Sequence, residues 1–204
     1  MIIKIEQTNK EAFSANFNIV AENRVIGSAN FRCKSVNIDG EWNIEFMGRQ
    51  VCMKRVIKGP SKSFRPYEVV INGNKCGWIY QTDYKTGFLK PRIYHHRLNI
   101  NGTVTDIFPI GFGEDIKSPV YCSENQVALV EKSLTVYDDL HVFDVFSLNE
   151  SGAFSSILLS FYMYSSGYYK AGEIPLKKTE KGYSLCKEKE LLAKYNPDFK
   201  NKII

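Results

Sequence analysis

The amino-acid sequence predicts a mainly β protein, a closed antiparallel barrel of about 12 strands enclosing one hydrophobic helix near the C-terminus. Three observations lead there. Short β patterns run one after another up to residue 150, separated by turn residues at the roughly 8 to 12 residue spacing of a sandwich or barrel. Asn-Gly pairs recur between β-branched runs, and that is the strongest local signal for a hairpin. One long apolar segment, Ser151 to Tyr169, then follows, and only small serines and glycines interrupt it.

The elements follow in order. Ile19 to Gly27 reads as a hairpin around Asn23, a residue for which a left-handed turn conformation is cheap. Glu41 to Met47 alternates apolar with polar side chains, as a half-buried strand does, and pairs with Val51 to Ile57 across Gly48 and Arg49. Val69 to Tyr80 turns at Asn72-Gly73, and Leu98 to Phe108 turns at Asn101-Gly102. Val120 to Val130 repeats the pattern more weakly, with Asn125 as its turn asparagine. Leu140 to Leu148 is the last and most apolar strand, and Asn149 to Gly152 suits a turn and helix N-cap. The helix is expected from about Gly152 to Tyr169. Projected at about 100° per residue, Phe154, Ile157, Leu158, Leu159, Phe161 and Tyr162 leave no wide polar face. Such a helix must be surrounded by protein, and a closed barrel both surrounds it and removes exposed strand edges.

Past Gly167 the composition turns to lysines and glutamates of alternating sign. Ser184 to Tyr195 is expected to form a short surface helix, and the polar residues after Pro197 a frayed end. Residues 1–170 are therefore read as the barrel with its helix, and 171–204 as an extension of the same domain. No long helical period interrupts the strands, which excludes the alternating strand and helix units that build nucleotide-binding parallel sheets.

The chain has 204 residues, 44% hydrophobic and 24% charged, ordinary values for a folded domain. A net charge of +5 admits an anionic partner but falls short of a dedicated nucleic-acid binder. The five cysteines, Cys33, Cys52, Cys76, Cys122 and Cys186, are widely spaced, without Cys-x-x-Cys pairs, and read as reduced structural thiols. The N-terminus turns polar by Thr8, too early for a secretory signal, so a cytoplasmic location is expected. The 151–169 segment is too short and too interrupted for a bilayer span of about 20 apolar residues.

The apolar strand Leu140 to Leu148 leading into the apolar helix, together with the turns Asn72-Gly73 and Asn101-Gly102, resembles the tubby C-terminal domain-like superfamily. That superfamily includes the LURP-one-related and phospholipid scramblase proteins, in which a twelve-stranded barrel encloses a hydrophobic helix. The resemblance is architectural and covers residues 1 to about 170. It implies a non-enzymatic binding or interaction domain at a membrane surface or on a protein partner.

The densest basic stretch is Lys54, Arg55, Lys58, Lys62 and Arg65, five cations with no acid on a strand end and a Gly-Pro loop, suited to phosphate oxygens or an anionic surface. A solvated loop is the simpler account of the same residues. Asp138, Asp139 and His141 could supply part of a metal site or an acid–base pair, but a polar hairpin corner explains them more simply, and no metal is expected. His95 and His96 are adjacent on a strand and must point to opposite faces, one packed inside and one in solvent. Gly111-Phe112-Gly113 reads as a turn rather than a phosphate loop, since no helix pattern follows it. Tyr162, Tyr164, Tyr168 and Tyr169 read as core packing. The sequence thus favours a non-catalytic cytoplasmic binding module with no cofactor. The alternative is a small hydrolase or ligand-binding barrel opening near Asp139 and His141, against which a filled lumen weighs.

Overall fold

A computed structural model describes residues 1–33, 40–85, 92–112, 115–133, 140–165 and 193–203. The strands are β1 (Ile2–Glu11), β2 (Ser14–Ala21), β3 (Arg24–Cys33), β4 (Gly40–Phe46), β5 (Arg49–Arg55), β6 (Phe64–Ile71) and β7 (Asn74–Lys85). They continue with β8 (Arg92–Ile100), β9 (Thr103–Ile107), β10 (Ile110–Phe112), β11 (Asp115–Cys122), β12 (Asn125–Ser133) and β13 (Val142–Ser147). A helix, α1 (Glu150–Met163), follows.

Every described pairing is antiparallel, and the ring closes because β9 pairs with β11 as well as with β8. β10 pairs with the same edge of β11, through Gly111 opposite Ile116, while β9 places Asp106 opposite Tyr121. β9 and β10 are thus two halves of one stave, so the closed barrel has 12 strands. The break falls at Phe108 and Pro109, where proline has no amide hydrogen for the ladder; Phe108 still donates to Pro119 O at 3.2 Å.

Left-handed backbone marks the hairpins the asparagines announce: Asn72 and Gly73 at φ 49° and 79°, Asn101 and Gly102 at 49° and 85°. Glu22 and Asn23 do the same between β2 and β3. Two turns differ from the sequence reading. Met47 and Gly48, one residue earlier than expected, turn β4 into β5, and Ser123 rather than Asn125 takes the positive φ between β11 and β12. Asn125 instead opens β12, opposite Cys122.

All these turns lie at one end of the barrel, where α1 enters. Asn149 caps the helix by accepting the Gly152 amide at 2.8 Å, and Glu150 sits in the first turn, where a carboxylate suits the helix dipole. α1 therefore starts two residues before the expected Gly152. It ends at Met163, with a wider turn over Tyr164 and Ser165; the rest of the expected helix, including Tyr168 and Tyr169, lies outside the described residues.

The helix runs through the lumen and touches strands on all sides. Phe161 packs against Phe17 on β2 and Trp42 on β4 with ring centroids 5.4 and 4.5 Å apart. Tyr162 meets Tyr67 on β6 and His96 on β8, and Tyr164 meets Phe17, Phe31 and His141. Ile157, Leu158, Leu159, Phe161 and Tyr162 are all 0% exposed. The buried serines are satisfied within the helix, Ser156 Oγ donating to Gly152 O and Ser160 Oγ to Ser156 O at 2.7 and 2.8 Å.

A second, smaller apolar layer lies on the outer wall. Phe108, Tyr121, Leu129 and Phe199 are buried but stand apart from the lumen core. Phe199 opens a short 3₁₀ turn (Phe199–Lys202) that lies along β12. Lys194 pairs with Glu124, Lys200 with Glu131, and the Asn196 amide donates to Gln126 Oε1 at 3.1 Å. The expected fraying of the C-terminus is corrected: residues 193–203 are anchored by an apolar residue and two ion pairs.

Leu158→Ala should cost about 2–5 kcal/mol in denaturant unfolding, and Leu158→Asp, which buries an unpaired charge, should abolish the cooperative transition. An unchanged midpoint for either variant would contradict the enclosed helix.

Candidate functional site

At the end of the barrel opposite the asparagine turns, the β5–β6 connection carries the basic residues singled out in the sequence. Its backbone is fixed by Val56 N donating to Pro66 O at 3.0 Å and by Ser63, whose amide and hydroxyl both donate to Pro60 O at 3.1 and 2.6 Å. Lys62 and Arg65 adopt left-handed backbone, φ 62° and 49°. From the lumen, the Tyr162 hydroxyl reaches Phe64 O and Arg65 O at 3.2 and 3.1 Å, tying the base of the loop to the end of α1.

Lys58, Lys62 and Arg65 are exposed on this loop. Arg55 lies at the lumen rim opposite Tyr67. Burial pushes the Tyr67 hydroxyl above its ordinary range, and hydrogen bonds with Ser165 and Arg55 partly reverse that. Lys54 alternates to the outer wall, between Glu41 on β4 and Glu68 on β6. The five predicted cations therefore share one end of the barrel but not one face.

Sequence reading missed the apolar side chains standing among them. Ile57 is 99% exposed, Phe13 on the β1–β2 turn 49%, and Phe64 45%. Phe13 is held in place because its carbonyl accepts the Cys33 amide at 2.9 Å. The signal was present as lone apolar residues inside polar turns, which burial statistics alone do not distinguish from core.

Beside this loop lies a groove of about 1030 Å³, lined among others by Phe13, Arg32, Cys33, Glu41, Lys54 and Arg55. Glu11 also faces it, accepting from Ser14 Oγ at 2.8 Å. Across the wall Ser14, Arg32, Glu41 and Lys54 stand in direct register on four successive strands.

The histidines sit elsewhere. His96 faces the lumen, 5.3 Å from the Tyr162 ring, and burial pushes its pKa down to about 3, with His95 adding to the shift. His95 points outward, as alternation requires, yet is only 3% exposed. The expectation that the outer histidine meets solvent is thus corrected: Phe108 stacks on it at 4.6 Å. Its Nε2 is 3.5 Å from Asp106 Oδ1, and Asp106 receives both Nε and Nη2 of Arg97 at 2.7 and 2.9 Å. Burial opposes ionisation of Asp106, but the His95 and Arg97 contacts outweigh it and hold the carboxyl below its ordinary value.

His141 is 3% exposed, its ring 5.5 Å from Tyr164, and it exchanges backbone and side-chain hydrogen bonds with Gln7. It belongs to the core edge rather than to a polar hairpin corner. Asp138 and Asp139 lie outside the described residues. Among the described residues no three His, Cys, Asp or Glu side chains cluster as metal ligands, and no helix is long and apolar enough to cross a membrane. Lys132 points into the lumen, 5.8 Å from the Phe143 ring, and burial lowers its pKa to about 8.

The arrangement brings exposed cations and exposed apolar tips together at one end of the barrel. Comparisons with protein-family models, characterised proteins and solved structures return no match to the chain.

Because His96 stays neutral in the folded state down to a pKa of about 3 while the unfolded chain takes up its proton near 6.5, stability falls as the pH drops through that window. The slope expected from this residue is about 1.4 kcal/mol per pH unit below 6. His96→Leu should flatten the pH dependence measured by urea titration between pH 6 and 4; an unaltered slope would reject the assignment.

Proposed function

We propose that the protein is a non-catalytic cytoplasmic binding module that docks on an anionic membrane surface through the loop end of its barrel. The observation that carries this reading is Ile57, fully exposed on a loop whose neighbours Lys58, Lys62 and Arg65 are also exposed. An apolar tip on a loop that also exposes three cations suits the interface of an acidic bilayer, where the tip enters the acyl boundary and each cation near the surface contributes about 1 kcal/mol. Phe13 and Phe64, exposed at the same end of the barrel, add apolar surface to it.

Two further features support surface docking over other modes. The lumen is filled by α1 and the rings around it, so recognition falls to the rims. The outer wall carries Asn18, Asn43 and Glu45, while Phe17, Trp42 and Ile44 face inward, the reverse of the apolar-out pattern of a bilayer-spanning barrel. Docking at a surface by a barrel with an enclosed helix is also what membership of the tubby-like superfamily would entail, and we extend that proposal to this chain.

Co-sedimentation with vesicles tests it. The protein should bind phosphatidylcholine vesicles doped with phosphatidylglycerol and not phosphatidylcholine alone, with affinity falling as salt rises. Lys58→Ala with Lys62→Ala should weaken binding about 30-fold, the equivalent of roughly 2 kcal/mol. Ile57→Ser should weaken it at every salt concentration. Equal sedimentation with neutral and acidic vesicles would overturn the reading.

A further inference from the structure

The groove beside the docking loop differs from the loop in one respect: it holds both signs of charge. Arg32, Lys54 and Arg55 line it together with Glu11 and Glu41. A groove shaped only for phosphate gains nothing from two carboxylates. A simple account would make them partners in a cross-strand charge ladder, since Glu41 stands in register with both Arg32 and Lys54. The side chains do not behave that way. None of the ion pairs among the described residues joins Glu11 or Glu41 to a groove cation. Glu41 instead takes the Asn43 amide at 3.3 Å and Glu11 the Ser14 hydroxyl, which leaves acceptor capacity on both carboxylates.

We infer that this groove selects membrane lipids whose headgroup carries an ammonium as well as a phosphate, the aminophospholipids, with phosphatidylserine the best fit. The inference rests on the docking reading above and names the lipid it prefers. Arg32, Lys54 and Arg55 supply donors for the phosphate and the serine carboxylate, while Glu11 and Glu41 accept from the ammonium. The volume of about 1030 Å³ lies at the upper end of small-ligand sites, room enough for a glycerophosphoserine headgroup with its water. Position agrees with chemistry. Phe13 lines the groove and Ile57 follows Arg55 by two residues, so tips inserted in the acyl boundary would leave the groove at headgroup depth.

Binding to vesicles of phosphatidylcholine mixed with phosphatidylserine, phosphatidylglycerol or phosphatidylethanolamine tests the inference, the two acidic mixtures being matched in charge. The expected result is about tenfold tighter binding to phosphatidylserine than to phosphatidylglycerol. Glu11→Gln with Glu41→Gln should erase that preference while binding to phosphatidylglycerol stays equal or tightens. Equal affinity of the natural chain for the two acidic mixtures would overturn the headgroup inference and leave docking intact. Absence of binding to either would overturn docking as well. A preference that survives in the double variant would also reject the groove as its source, and because that comparison is between lipids on one protein, a modest loss of stability does not obscure it.

Discussion

The helix through the lumen is the constraint from which the rest follows. A segment such as Phe154 to Met163, apolar on every side, cannot lie on a surface without exposing Leu, Ile and Phe to water. It cannot cross a bilayer either, being too short. Only a complete wall answers that demand. Twelve strands close at a width that leaves a lumen, and an unfilled lumen of that width would forfeit the packing that gives a barrel its stability. Barrel and helix therefore depend on each other: the wall would enclose a void without the rod, and the rod would aggregate without the wall. Their coupling is concentrated in the cluster Phe17, Phe31, Trp42, Phe161 and Tyr164, where rings from three strands meet rings from α1.

Much of that architecture is legible in the residues because local and global demands agree. Asn72-Gly73 and Asn101-Gly102 take left-handed backbone that few other pairs adopt cheaply, and the alternation of Trp42, Ile44 and Phe46 with Asn43 and Glu45 fixes which face looks inward. Legibility fails where a residue answers to a distant neighbour. Ser123 takes the turn conformation in place of Asn125 because the bulge between Val120 and Tyr121 shifts the hairpin register, which no local propensity encodes. His95 is outward yet buried because Phe108 folds back at the Pro109 break, and the polar tail is ordered because Phe199 finds the apolar outer face of β12. Both contacts span stretches of chain that a single-sequence pattern does not connect.

The site was legible in charge and not in shape. Five cations between residues 54 and 65 are visible as a string, but strand alternation sends Lys54 outward and Arg55 to the lumen rim, dividing them between two surfaces. The apolar residues that give this end of the barrel its second chemistry, Ile57 on the loop and Phe13 on the neighbouring β1–β2 turn, look like core in a string and become conspicuous only as exposed tips. The groove is assembled from five strands, β1 to β5, and could not be read from any one of them.

A filled interior also governs how the loop is held. Tyr162 lies at the end of the enclosed helix, and burial raises its hydroxyl well above the ordinary range, so it remains a neutral donor at any physiological pH. That donor is spent on the carbonyls of Phe64 and Arg65, the point where the basic loop rejoins the wall. Arg65 holds a left-handed backbone there, a conformation that persists in a non-glycine residue only when its surroundings over-determine it. The rod that fills the lumen thus also fixes the loop outside. On the docking reading proposed above, so constrained a base would lose little conformational entropy on meeting a surface, which lowers the affinity its cations and apolar tips must supply.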